Sequence, residues 1–231
     1  MKSISLFAAG ICVGAILLGQ SAPAPTPASI ERMGTSVERI GADAVWTPPA
    51  DFLSDFHSSC DALRGQAFND CFLEQMAKAG APPPARAFAR RTGGMGYLRA
   101  FRETGKVDVA YANYPFRANE NQVCLLVNGQ PPWIDVDDTT LLDRKGLDGD
   151  RNWRAILKKY PKAVLFPSDR SGPTLPGARR FRNGREEFVV DYVALDGCHA
   201  CAAVGTVRFV FRFDSAGKFL GTAVKSVRRR G

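Results

Sequence analysis

Histidine is nearly absent: His57 and His199 are the only two in 231 residues. That leaves little for a hydrolytic triad, whose base is normally an imidazole, and no serine stands in a G-x-S-x-G frame. It leaves little for zinc as well. A structural zinc site takes four ligands, and a second Cys or His pair to complete the set around Cys198, His199 and Cys201 is missing. Calcium loops fare no better. In an EF-hand the sixth position is glycine and the twelfth glutamate. Starting from Asp135 those positions hold Thr140 and Gly146, and starting from Asp148 they hold Trp153 and Lys159. The chain has no internal repeat. Its apolar run, residues 4–18, is shorter than the ~20 residues a membrane span needs.

That run has another meaning. Lys2, the apolar stretch and the small residues and prolines after it follow the layout of a secretory signal. The expected signal peptide is 1–28, cut after Ala28, because proline disfavours a cut after Ala22 or Ala24. Cys12 follows Ile11 rather than a small residue, which argues against a lipidated cysteine. Residues 29–50, rich in Ala, Pro, Ser and Thr, read as a tether with at most a short helix around residues 30–40. The remainder, 51–231, reads as one α+β domain, helical over 51–104 and mainly sheet over 105–231. Export sets the localisation, periplasmic or secreted, and leaves no membrane span in the mature chain.

Phe52, Phe56, Cys60 and Leu63 recur every three or four residues, and Ala67, Phe68, Cys71, Phe72 and Met76 do the same, the spacing of helices with one apolar face. "AGAPPP" breaks the pattern because proline cannot donate within a helix. "ARAFARRTGGMGYLRAFRETG" offers one or two further helices interrupted by glycines. Beyond Gly105 the period changes. "KVDVAY" reads as a strand, and "QVCLLV-NG-QPPWIDV" as a hairpin on its Asn-Gly turn. "GDRNWRAILKKYP" reads as a helix capped by Asp150 and stopped near Pro161, with Trp153, Ile156, Leu157 and Tyr160 facing the core. "KAVLF" is a short strand and residues 168–184 a polar loop. "EEFVVDYVAL", "TVRFVFRF" and "KFLGTAVKSV" form a three-stranded meander. In the middle strand Val207, Phe209, Phe211 and Phe213 alternate with polar residues, the mark of an antiparallel sheet with one wet face. Helices first and strands after define the class: α+β, an N-terminal helical hairpin packed on a mostly antiparallel sheet that ends in a three-stranded meander.

Export makes the cysteines the most informative residues. Five of the six remain after cleavage, in a compartment where disulfides persist. In one unbroken helix Cys60 and Cys71 would lie about 16 Å apart along the axis, too far to bridge. If the helix ends at Gly65 and a second returns, they face each other, so Cys60–Cys71 is an expected disulfide. Cys124, inside an apolar strand, reads as a buried thiol and the odd one out. Cys198 and Cys201 are spaced C-x-x-C. A c-type haem needs histidine directly after the second cysteine, where Ala202 stands, and Cu(I) on two thiolates has only the spacing in its favour. "CHAC" resembles the motif of some strongly oxidising dithiol enzymes over those four residues alone. The helix that stabilises the thiolate there has no room here, and Asp196 opposes a thiolate. The leading reading is a structural Cys198–Cys201 disulfide; the alternative is a redox pair of Cys198 and Cys201 with His199 between them.

The formal net charge is +8, or +7 without Lys2. The excess clusters at residues 89–91, at 177–185 and in the tail "KSVRRRG". For an exported chain this points to an anionic envelope component or another envelope protein rather than nucleic acid. The candidate binding residues are Arg179, Arg180, Arg182 and Arg185, with Arg117 in a polar segment that also holds Asn119 and Glu120. No metal, cofactor or catalytic set is called for. The sequence therefore reads as an exported, disulfide-stapled, non-catalytic envelope protein binding an anionic or protein partner. A thiol–disulfide redox protein is the alternative. A cell-wall hydrolase using carboxylates that spacing alone does not pair is a third reading.

Overall fold

Phe52, Phe56 and Cys60 fall four residues apart and form the buried stripe of α1 (Phe52–Cys60). The chain reverses through Gly65, whose φ of +59° suits a residue without a Cβ. It returns as α2 (Gln66–Lys78), which buries Phe72 and Met76 against α1. The computed structural model describes residues 39–117, 121–167 and 176–230. The segment expected to be a signal peptide, most of the expected tether, Asn119, Glu120 and most of the loop after Pro167 lie outside the described residues. Those that are described belong to one compact unit, Glu38–Gly231.

After the proline run α3 (Pro83–Arg91) adds Ala85, Phe88 and Ala89 to the buried set, with proline at its start, where a missing N–H costs nothing. Four antiparallel strands follow in the order β1 (Tyr97–Arg102), β2 (Asp108–Asn113), β3 (Gln122–Val127) and β4 (Trp133–Asp135). All of β2 is buried, because both faces of this sheet are covered. One face meets Ile40, Ala44 and Phe88; the other, through Val109, Tyr111, Leu126 and Ile134, meets a second sheet. The helices α4 (Arg144–Gly149) and α5 (Arg151–Lys159) link the two. Asp150 caps α5 by accepting from the Asn152 and Trp153 amides at 2.7 and 3.1 Å.

The second sheet is also antiparallel. Its long strands β7 (Glu186–Asp196), β8 (Ala203–Phe213) and β9 (Phe219–Arg229) form the meander. The free edge of β7 is shared by β5 (Ala163–Pro167) near its end and β6 (Gly177–Arg180) near its start. Val207, Phe209, Phe211 and Phe213 are all buried and face the first sheet, as their alternation requires. The class is α+β, with the helical hairpin and the meander where the sequence puts them.

Four details differ from the sequence reading. Two sheets stacked face to face replace one. "YLRAFR" is strand β1 rather than helix, so the helical part ends at Arg91; Gly93 and Gly94, both at φ +72°, end the helical path. Residues 40–46, assigned to the tether, supply Ile40, Ala44 and Trp46 to the core. Within the polar loop, β6 is fully exposed, which is why no apolar alternation marks it. Among the described residues no helix is long and apolar enough to cross a membrane.

Candidate functional site

Both disulfides are formed. Cys60–Cys71 joins α1 to α2 with 6.0 Å between Cα atoms, and Cys198–Cys201 closes a four-residue turn with 5.0 Å. Cys124 belongs to neither bridge and is buried in β3. The second bridge is the chemistry-bearing feature that solvent can reach. Strands β7 and β8 pair from Glu186↔Phe213 to Leu195↔Ala203, with a register shift next to Leu195. Gly197, at φ +85°, starts the turn. The Asp196 amide donates to Ala202 O at 3.0 Å, and the Cys201 amide to Cys198 O at 3.0 Å. Cys198 and His199 are exposed and Cys201 is half-buried. The His199 ring meets the Phe166 ring edge-on, 4.9 Å between centroids. From Ala203 the chain is already strand β8, so no helix N-terminus points at either sulfur.

At the same end of the sheet lies a basic neighbourhood. Arg229 pairs with Gly205 across the β8–β9 ladder, and the Arg230 amide donates to Val204 O at 3.0 Å. A cleft of about 570 Å³ is lined by Ile156, Lys159, Tyr160, Val204, Arg229 and Arg230. A second, of about 430 Å³, opens among Val193, Ala203, Thr206 and Arg228, and shares Arg229 and Arg230 with the first. Lys159, Arg228, Arg229 and Arg230 are exposed, and no ion pair with a described carboxylate engages them. The Lys159 ammonium stands 5.2 Å from the centre of the Tyr160 ring. Lys162 packs beside Gly197, where an added Cβ would meet the lysine Cβ at 3.3 Å.

The arginines singled out from sequence lie elsewhere. Arg179, Arg180, Arg182 and Arg185 share the β6–β7 hairpin, beside Glu186, while the disulfide turn follows Asp196. An eleven-residue strand separates the two groups by about 33 Å. Arg180 faces the buried Glu186 at 3.8 Å, and the Arg179 guanidinium lies 4.6 Å over the Phe181 ring. Arg182 and Arg185 are exposed on the turn. Arg117 stacks on Tyr114, 3.9 Å from its ring centre, past the opposite end of β2 from the Lys106 and Val107 amides that Glu186 binds. The structure therefore does not gather the five into one surface. The residues that sequence reasoning left out are Lys159, Arg229 and Arg230. Their signal was the basic tail and the last turn of α5; what the sequence did not show was that β9 returns to lie beside that helix.

Six carboxylates serve the structure. Asp138, Asp143 and Asp150 accept from backbone amides at turn and helix starts, and Asp135 accepts from the Asp137 amide. The buried Asp108 accepts from Arg39 at 2.6 Å, Asn128 at 2.7 Å and the Thr104 amide at 2.9 Å. The buried Glu186 accepts from the Lys106 and Val107 amides at 2.9 and 3.0 Å, tying the β1–β2 turn to the second sheet. Both are hydrogen-bonded, as buried carboxylates must be. Burial pushes the Tyr114 hydroxyl up to about 12, with Arg117 opposing the shift. Among the described residues no group of three or more His, Cys, Asp or Glu is placed to hold a metal ion. No protein-family model, curated protein or solved structure matches the chain.

Proposed function

We propose that this is an exported, disulfide-stapled, non-catalytic protein of the cell envelope that holds a phosphate-bearing anionic component on its basic surface. The observation that carries the reading is the pair of clefts around Arg229 and Arg230. Cations that form no ion pair with a described carboxylate surround a partly apolar floor, and concave basic surfaces concentrate anions. Oxidised cysteine pairs fit a compartment where disulfides persist, and the signal-like N-terminus fits delivery to it. The buried carboxylates, each held by backbone amides, favour binding over hydrolysis. The β6–β7 hairpin is the second basic surface, but Arg180 is committed to Glu186.

Co-sedimentation with vesicles tests this. The protein should bind vesicles containing phosphatidylglycerol and not pure phosphatidylcholine, with retention falling as salt rises. Each basic residue near an anionic surface contributes about 1 kcal/mol, so R229Q/R230Q should weaken binding about thirtyfold. R182Q/R185Q should weaken it less. Equal binding to both vesicle types would overturn the proposal.

A further inference from the structure

We infer that Cys198–Cys201 is a thiol–disulfide exchange centre, and that it reacts preferentially with thiols carrying carboxylates. Three independent observations carry this. The first is access: Cys198 stands exposed at a hairpin tip, so an incoming sulfur can reach it without unfolding the chain. The second is redundancy. The turn is already closed by the Asp196-to-Ala202 and Cys201-to-Cys198 backbone hydrogen bonds and by a ladder running the length of β7, so opening the bridge leaves the hairpin standing. The third is charge. Lys162 packs against Gly197, and the backbone of Arg230 pairs with Val204, three residues beyond Cys201. By strand geometry the two chains lie within about 15 Å of each other along this stretch, near enough for the cations to act at low ionic strength. Asp196, two residues before Cys198, is the carboxylate that opposes them.

The step balances as follows. An external thiolate attacks Sγ of Cys198 in line with the S–S bond, and the bond's electron pair leaves on Sγ of Cys201. A second external thiolate then attacks the external sulfur of the mixed disulfide, and Sγ of Cys198 leaves as a thiolate. Two external thiols are oxidised to one disulfide, and their two protons and two electrons end on Cys198 and Cys201. Positive neighbours stabilise the departing thiolates and draw in an anionic thiol. The preference for anionic thiols shares Arg230 with the proposed anion binding, but the exchange itself does not rest on that reading, because an uncharged thiol can also exchange here.

The test uses the purified, oxidised full chain, with glutathione as the anionic probe and cysteamine as the cationic one. Samples are quenched with acid, alkylated and peptide-mapped over time, and the two thiols are compared against a linear reference disulfide. Cys198 and Cys201 should become alkylated at least about tenfold faster than Cys60 and Cys71, with the circular dichroism unchanged. Glutathione should be favoured over cysteamine, and the preference should shrink with added salt. Reduction of Cys198–Cys201 only with unfolding, or at the rate of Cys60–Cys71, overturns the exchange centre. Exchange without a preference for glutathione overturns the assignment to anionic thiols.

Discussion

Cys60 lies sealed in a cluster of Phe52, Phe56, Phe72 and Met76, whereas Cys198 stands in water at the tip of a hairpin. The first bridge links two helices whose axes no backbone ladder joins, across a sequence separation of 11. The second spans a separation of 3, in a turn the backbone already closes. A bridge contributes mainly by removing freedom from the unfolded chain, and that term grows with loop length. By it the helical bridge contributes about 3 kcal/mol and the turn bridge about 2 kcal/mol. Aromatic packing widens the gap. Phe116 reaches over from the β2–β3 connection to pack on Phe56, Phe68 and Phe72, at 4.6, 5.2 and 5.5 Å between ring centres. One bridge ties two packed helices together; the other occupies a place where stability depends on it little and solvent reaches it freely.

The comparison can be broken at its strongest point first. Phe56 is fully buried beside Cys60, so Phe56→Ala should cost about 3–5 kcal/mol in urea unfolding. A smaller loss would mean that the helical layer is not packed as described. Removing the bridge there, with C60A/C71A, should cost about 2–4 kcal/mol and lower the urea midpoint. The matching C198A/C201A variant should cost at most about 2 kcal/mol and leave the circular dichroism unchanged. If the two double variants cost the same, the distinction between staple and exposed pair fails. A smaller effect is expected from pH at Tyr114, on the first sheet. Because the Tyr114 pKa is raised from 10.0 to about 12, its contribution is fully present below pH 10 and is lost as pH rises towards 12. Stability should therefore fall over that window, and Y114F should lessen the fall. An unchanged slope in Y114F would place the alkaline sensitivity elsewhere.

Much of this was legible in the sequence, for physical reasons. The i, i+4 apolar spacing with Gly65 midway gave the hairpin and its bridge, since only a reversal there brings Cys60 to Cys71. Strict alternation gave the buried face of β8. Strand β1 was harder, because "YLRAFR" pairs through a bulge between Leu98 and Ala100 and so loses its alternation. Stacking of two sheets was hidden because β2 and β3 are buried on both faces, and such strands look like any short apolar run. At the disulfide turn the motif was visible but its surroundings were not. Local sequence says nothing of Arg229 and Arg230 lying across from Val204 and Gly205. The hairpin arginines looked stronger by density alone, and only the fold revealed that Arg180 answers a buried glutamate.

The most direct test is an equilibrium redox titration of the folded protein, with each cysteine pair mapped by mass spectrometry at every potential. The account predicts two separate transitions. Cys198–Cys201 should open first, in a protein that stays folded, while Cys60–Cys71 holds until potentials below about −300 mV, as structural bridges do. A single shared transition, or a Cys198–Cys201 pair that opens only when the chain unfolds, would contradict it.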